Sequence, residues 1–156
     1  MTGAGPMTGG GPGLFLRVER RFAAPCDRVF RALAEPEELR RWWGPAGFSA
    51  PSLDADPRPG RRYRIAMQPP EGEVFHVTGT YVDVNPPGRL AFTFRWEEPD
   101  PDDRDTVVAI ALDEFEGGTL FTVIQGLFAT EDRRGLHHQG WSESLERLEE
   151  VLSTAG

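Results

Sequence analysis

The hydrophobic and polar positions near the start of the chain change from the period of a strand to that of a helix. Residues 14–22, LFLRVERRF, alternate between apolar and polar side chains, which predicts a β-strand. The next apolar residues recur at the spacing of a helix, and they are Cys26, Val29, Phe30 and Leu33. A second short helix is predicted to begin at Pro36 and to end at Gly44, before Pro45. The chain is therefore predicted to open with one strand and two short helices.

The middle of the chain alternates between strand-like segments and turn residues. Six strands are predicted, at 48–54, 61–68, 73–84, 89–96, 105–115 and 119–126. Turns such as Pro86-Pro87-Gly88 join consecutive strands too closely for a crossover helix, which disfavours a parallel sheet. In the strand at 89–96, one face carries only large apolar residues: Leu90, Phe92, Phe94 and Trp96. This face of the predicted antiparallel meander needs a cover.

The segment from Glu131 to Leu152 has the only helical pattern long enough to cover a whole sheet. One half of this predicted helix carries His137, Gly140, Trp141, Ser144, Leu145, Leu148, Val151 and Leu152. A helix that serves only for packing would place Leu or Ala where His137, Gly140 and Ser144 stand. We therefore expect this end of the helix to face a space, with Trp141 and Leu148 at the centre of the buried stripe.

The first thirteen residues differ from the rest of the chain. They contain six glycines and no charged residue, so residues 1–13 are predicted to be a flexible Gly/Pro-rich tail before a single domain at 14–153. They also lack the basic start and apolar stretch of a secretory signal, which predicts a cytoplasmic protein. The only cysteine, Cys26, falls on an apolar stripe and is expected to be buried.

Charge and composition limit the possible partners. The sequence has 17 basic and 25 acidic residues and a net charge of −8, so nucleic acid and anionic membranes would repel it. All the basic residues are arginine, which excludes chemistry that needs a lysine amine. The longest apolar run covers residues 107–112 and is too short to span a membrane. Neither nucleic acid nor a membrane is expected as a partner.

Candidate metal and cofactor sites are weak. His137 and His138 are adjacent, so on a helix they point about 100° apart and cannot chelate one metal ion. The acidic segment 97–105, EEPDPDDRD, lacks the ordered acid spacing and central glycine of a calcium loop, which favours a solvated hairpin loop. No metal and no cofactor are predicted. If the protein is an enzyme, His137 with Tyr81 is the pair of ionisable groups to consider.

Three segments together resemble a known family. They are FAAPCDRVFRALAEPEELRRWW, VDVNPPGRLAFTF and HHQGW, and with their flanks they extend from about Leu14 to Leu152. This pattern resembles the family named for the activator of the heat-shock protein 90 ATPase. The order of elements is similar to the helix-grip fold of the superfamily of START domains and polyketide cyclases (SRPBCC). The resemblance implies an α+β fold in which a curved antiparallel sheet of about seven strands wraps around a long C-terminal helix.

The resemblance also implies a ligand tunnel between the sheet and the last helix. Aromatic residues with a few polar anchors are its candidate walls: Trp42, Trp43, Tyr63, Phe92, Phe94, Trp96, His137, Gly140, Trp141 and Ser144. The leading hypothesis is binding of a small apolar or aromatic molecule without defined catalysis. The alternatives are a co-chaperone-like regulator of a heat-shock protein 90 ATPase and a cyclase- or lyase-type enzyme. Monomer and homodimer both remain open.

Overall fold

A computed structural model of the protein describes residues 13–154. The predicted tail at residues 1–13 lies outside the described residues, except for Gly13. The elements are β1 (Leu14–Phe22), α1 (Cys26–Ala34), α2 (Pro36–Trp42), β2 (Leu53–Ala55), β3 (Arg62–Met67), β4 (Phe75–Asn85), β5 (Arg89–Trp96), β6 (Thr106–Phe115), β7 (Gly118–Phe128) and α3 (Glu131–Thr154). Every predicted helix and strand has a counterpart.

The seven strands form one curved antiparallel sheet in the order β1-β7-β6-β5-β4-β3-β2. Each of β2 to β7 pairs with its neighbour in sequence, and β1 pairs with β7 in a register that sets Phe22 opposite Thr119. The helix α3 crosses the sheet and packs against β1, β7 and α2. The predicted α+β helix-grip fold is confirmed.

The strand predicted at 48–54 is much shorter than expected. Only Leu53–Ala55 forms β2, while Ser49 makes an isolated bridge to Gln68. Pro51 has no backbone N–H to give to a ladder. The Arg40 guanidinium donates to the carbonyls of Ala50 and Pro51 at 3.0 and 3.1 Å, so these two carbonyls bond to a side chain of α2.

The two short helices form as predicted. Pro36 occupies the first turn of α2, where its missing N–H costs nothing. The buried Trp42 indole donates to the Ala32 carbonyl at 2.9 Å and so ties α2 to α1. After α2, Gly44 has a φ of 102°, a left-handed conformation that favours glycine. The chain therefore turns sharply into the loop at 43–48.

The long helix α3 begins close to the predicted residue. The Thr130 hydroxyl accepts the Arg133 backbone N–H at 3.1 Å, as a helix N-cap does. Its inner stripe is buried as expected, with Trp141 and Ser144 each 6% exposed and Leu145 and Leu148 at 0%. Among the described residues, no helix is both long and apolar enough to cross a membrane.

The core lies between α3 and the concave face of the sheet. The predicted apolar face of β5 points into it: Leu90, Phe92 and Phe94 are buried and Trp96 is partly buried. Cys26 is also buried, and its Sγ accepts the Thr119 hydroxyl at 3.4 Å. The core fills most of this space but leaves one end of α3 uncovered.

Candidate functional site: a cavity beside the long helix

A cavity of about 520 Å³ lies between the first half of α3, the loop at 43–48 and the ends of β3 to β5. Its lining residues are Trp43, Gly44, Pro45, Phe48, Met67, Phe75, Phe94, Trp96, Glu98, Asp100, Asp103, Arg133, Leu136, His137, Gly140, Trp141 and Ser144. Most of this wall is apolar, and charged groups occur only where the loop between β5 and β6 meets α3. The sequence predicted a space at this end of the helix, and the structure has a cavity there.

The helix contributes one face of the cavity through His137, Gly140, Trp141 and Ser144, which are three, four and seven residues apart on α3. Gly140 is the reason why the wall is set back. A Cβ atom at this position would meet only the Pro45 Cγ, at 3.8 Å. The glycine therefore leaves room for a ligand between α3 and the loop at 43–48.

The opposite wall is aromatic. Phe94 and Trp96 are two residues apart on the same face of β5, and their rings contact each other edge to face, with centroids 5.0 Å apart. Trp43 bridges this wall to the helix, because its ring lies 6.4 Å from that of Phe94 and 5.7 Å from that of Trp141. Phe75 extends the wall through a 5.2 Å contact with Trp96. Such a surface suits an apolar or aromatic molecule.

His137 sits among aromatic rings at one end of the cavity. Its ring centroid lies 4.9 Å from that of Phe128, 5.5 Å from that of Phe94 and 5.9 Å from that of Trp96. Burial lowers the pKa of His137 to about 4, although the Asp103 carboxylate acts in the opposite direction. The imidazole is therefore neutral at neutral pH and offers one donor and one acceptor nitrogen.

One buried polar group in the cavity wall has no partner among residues 13–154. The Trp43 indole Nε1 is buried and has no hydrogen-bond acceptor there. The Ser144 residue, 6% exposed, lines the same cavity. Most buried polar groups are hydrogen-bonded. The unpaired Trp43 N–H is therefore an exception in this core, and it lies in the wall of the cavity.

The tryptophan on the helix face of the cavity has its hydrogen-bond partner. Trp141 donates its indole N–H to the Gln125 side-chain oxygen at 2.8 Å, and the Gln125 amide donates to the Thr106 hydroxyl at 2.9 Å. Gln125 is 0% exposed on β7, so this chain of polar groups crosses the core below the cavity. It sets the orientation of the Trp141 ring that forms the cavity floor.

The loop at 43–48 is held against α3 by two side chains of the helix. The Arg147 guanidinium donates to the carbonyls of Trp43, Gly44 and Pro45 at 3.0 to 3.1 Å. One turn earlier, Glu143 accepts the Ala46 backbone N–H at 2.9 Å. The cavity wall formed by this loop is therefore positioned by α3 itself.

The loop between β5 and β6 places acidic groups at the cavity mouth. Glu98, Asp100 and Asp103 line the cavity together with Arg133 of α3. Arg133 lies 2.7 Å from Asp100, 3.0 Å from Asp102 and 3.6 Å from Asp103. The acidic segment that the sequence favoured as a solvated loop is thus also part of the candidate site.

Three of the predicted wall residues lie elsewhere. Trp42, Tyr63 and Phe92 surround a separate space of about 20 Å³ deeper in the molecule, too small for an organic ligand. Their polar atoms are already used: the Tyr63 hydroxyl donates to the Thr93 carbonyl at 2.6 Å, and the Trp42 indole to Ala32. These three residues are core, because they lie toward β4 and α1 and not at the open end of α3.

The other seven predicted residues are brought together around the large cavity: Trp43, Phe94, Trp96, His137, Gly140, Trp141 and Ser144. Sequence reasoning missed Phe48, Met67, Phe75 and the charged residues of the mouth. Phe48 was placed at the start of a strand that forms only at Leu53–Ala55. Residues 97–105 carried an acidity signal, but nothing in the sequence shows that this loop folds back toward α3.

The pair considered for catalysis is not assembled. Tyr81 lines the small inner space and His137 the large cavity. Burial raises the pKa of Tyr81 to about 12, which keeps its phenol protonated. The structure therefore does not bring the two residues together as an acid–base pair.

One group of potential metal ligands lies near the mouth. Ligand atoms of His76, Glu97 and Glu98 are within 4.8 Å of one another. Each already has a partner, since Glu97 accepts two hydrogen bonds from Arg64 and Glu98 accepts from the His76 backbone and ring nitrogens. We assign no metal to this group.

A comparison with known protein families finds one that matches most of the chain. The family model described as "Activator of Hsp90 ATPase homolog 1-like protein" matches residues 23–153. The chain belongs to this family. The match includes both short helices, β2 to β7 and nearly all of α3, so it contains the whole lining of the cavity. Among curated proteins, no match to this chain is found.

Solved structures of similar proteins agree with the fold. A Nitrosomonas europaea protein is 31% identical, with a TM-score of 0.77 over 91% of this chain and 96% of its own. A Chromobacterium violaceum protein is 27% identical, with a TM-score of 0.80 over 88% and 95%. An AHSA1 protein of Silicibacter pomeroyi is 28% identical, with a TM-score of 0.80 over 91% and 99%. The family fold supports a ligand-binding or regulator-type domain.

Proposed function

We propose that this protein binds a small apolar or aromatic molecule in the cavity between α3 and the sheet. The observation that carries the proposal is the cavity itself, about 520 Å³ in volume and walled by Trp43, Phe94, Trp96 and Trp141. Small-molecule sites typically have about 300–1,000 Å³ and a mostly apolar lining with a few polar groups. This cavity has both properties.

The polar groups in the wall support the same proposal. The Trp43 indole offers a buried N–H that no described residue accepts, and Ser144 and His137 line the same cavity with further hydrogen-bonding atoms. In a binding site, such groups orient the ligand while the aromatic walls supply most of the affinity. In a core that served only for packing, the buried Trp43 N–H would cost stability because it is unpaired.

The test is calorimetric titration with naphthylethanol, a neutral aromatic probe. We expect saturable binding to the parent protein and at least about a tenfold loss in Gly140→Leu, because the leucine side chain would occupy the space beside Pro45. Gly135→Leu is the matched control. Gly135 is on the same helix, and a Cβ atom there would meet nothing within 4 Å, so its binding should equal that of the parent. Absence of binding to the parent would refute the proposal.

A regulator of an Hsp90-type ATPase is the second candidate, and it is favoured by the family to which the chain belongs. It requires saturable stimulation of a purified ATPase of this class. We expect none, because the conspicuous feature of the described residues is an aromatic cavity. A saturable increase that persists in Gly140→Leu would place this function first.

A further inference from the structure

The charged groups at the cavity mouth are unbalanced. Glu98, Asp100 and Asp103 line the cavity, and Arg133 is the one arginine among the lining residues. Its guanidinium contacts three carboxylates within 3.6 Å, those of Asp100, Asp102 and Asp103. One positive charge is thus shared by three negative charges, and Glu98 adds another. An anionic ligand would find no unshared cation in this lining.

The acidic groups of the mouth are held in place. The Asp103 side chain is only 9% exposed, and its carboxylate accepts the Asp100 backbone N–H at 2.7 Å. Hydrogen bonds from His76 keep the pKa of Glu98 below its usual range, so Glu98 stays ionised at neutral pH. Two carboxylates with fixed positions therefore face the same space.

The walls behind these carboxylates also suit a cation. The faces of Trp and Phe rings carry negative quadrupole charge and attract ammonium groups. Trp43, Phe94, Trp96 and Trp141 all line the cavity. The His137 ring, which is neutral, and the Ser144 hydroxyl also line the cavity and can accept hydrogen bonds from ammonium N–H groups. Charge, ring faces and acceptors thus converge on one ligand chemistry.

Resting on the proposed function, we infer that the cavity selects organic cations and that its ligand is a protonated aromatic amine. The aromatic ring of the ligand lies between α3 and β5, and its ammonium group is directed toward Glu98 and Asp103. A free carboxylate on the ligand is disfavoured by the same two groups.

Three probes with the same ring and nearly the same size separate the possibilities: naphthylethylamine, naphthylethanol and naphthylacetate. At low ionic strength we expect the amine to bind about tenfold more tightly than the alcohol, and the carboxylate to bind most weakly. The preference for the amine should shrink in about 0.5 M salt, because the mouth is partly exposed. It should disappear in Gly140→Leu, which separates the cavity from non-specific attraction to an acidic protein.

Two conservative variants locate the preference. Glu98→Gln and Asp103→Asn each keep a hydrogen-bond acceptor and should lower the amine-to-alcohol ratio about threefold or more. Glu114→Gln is the control, because it removes the same charge from an exposed site at the far end of β6. It should leave the ratio unchanged.

The results of these titrations distinguish a failure of the proposed function from a failure of the inferred charge preference. If no probe binds, the proposed function and the inference both fail. If the alcohol binds as tightly as the amine, or the carboxylate binds best, the cavity is a binding site but the inferred charge class is wrong. A preference for the amine that survives both Glu98→Gln and Asp103→Asn would refute the assignment to these carboxylates.

Discussion

Trp141 on α3 donates its indole N–H to the side-chain oxygen of Gln125 on β7, at 2.8 Å, in a part of the core where Gln125 is fully buried. The bond joins the long helix to the sheet directly below the cavity. A buried acceptor that loses its only donor pays the cost of its desolvation, whereas removal of both partners is cheaper. Because of this asymmetry, the coupling energy between Trp141 and Gln125 can be measured.

We predict that Trp141→Phe destabilises the protein by about 1–3 kcal/mol, since it leaves the Gln125 oxygen unpaired and removes part of the ring. Gln125→Leu should cost a similar amount, because it leaves both Trp141 and Thr106 without their partner. The double variant should cost less than the sum of the two by about 1 kcal/mol. Urea unfolding of all four proteins gives the coupling; additive values would show that the bond contributes nothing.

The stability of Gly140→Leu tests whether the space beside Gly140 is empty. A Cβ atom at Gly140 meets only the Pro45 Cγ, at 3.8 Å, so we expect no loss of stability and a gain of up to about 1 kcal/mol from helix propensity. Gly135→Leu gains the same propensity at an open position on the same helix. A solid core would instead make Gly140→Leu cost about 1–3 kcal/mol relative to Gly135→Leu, as measured by denaturant titration.

The pKa of His137 predicts how stability changes in mild acid. Burial lowers this pKa from 6.5 to about 4, so the unfolded chain binds the proton first as the pH falls. The protonation of His137 therefore does not reduce stability above about pH 6.5. Between that pH and about 4 it lowers the free energy of unfolding by up to about 3 kcal/mol.

His137→Phe keeps an aromatic ring beside Phe94 and Phe128 but cannot be protonated. We therefore expect the parent protein to lose stability relative to His137→Phe as the pH falls from about 7 to about 4.5. Carboxylates that do not interact with His137 act equally in both proteins and cancel in the difference. His138→Gln, at an exposed neighbouring position, should follow the parent at each pH. A constant difference between the parent and His137→Phe would contradict the burial of a neutral imidazole.

Arg147 holds the cavity wall through its bonds to Trp43, Gly44 and Pro45. We predict that Arg147→Met, which keeps the length and apolar stem of the side chain, costs about 1–3 kcal/mol because these carbonyls lose their donor. Hydrogen exchange should become faster at residues 46–48. Arg134→Met, elsewhere on α3, is the control. It should change the free energy of unfolding by no more than about 0.5 kcal/mol and leave hydrogen exchange at residues 46–48 unchanged. Unchanged exchange at the loop would show that α3 does not position it.

The elements were predictable because their signals are local. Alternation in residues 14–22, the turn at Pro86-Pro87-Gly88 and the helical stripe from His137 to Val151 each depend on neighbours in sequence, and each matches the structure. The strand at 48–54 was largely wrong for a tertiary reason. Arg40, from α2, donates to the backbone carbonyls of Ala50 and Pro51, and Pro51 has no N–H for a ladder.

The site was predictable only in part. Gly140 and Ser144 stand out from the sequence because small and polar residues interrupt an apolar stripe, and both line the cavity. Trp42, Tyr63 and Phe92 are equally aromatic, and periodicity gives no information on which end of the sheet stays open. The sequence by itself determined the order of elements and the buried face of α3. Only the tertiary structure decided which aromatic rings pack against each other and which face a space, and it alone brought residues 97–105 to the mouth, because those contacts join segments far apart in the chain.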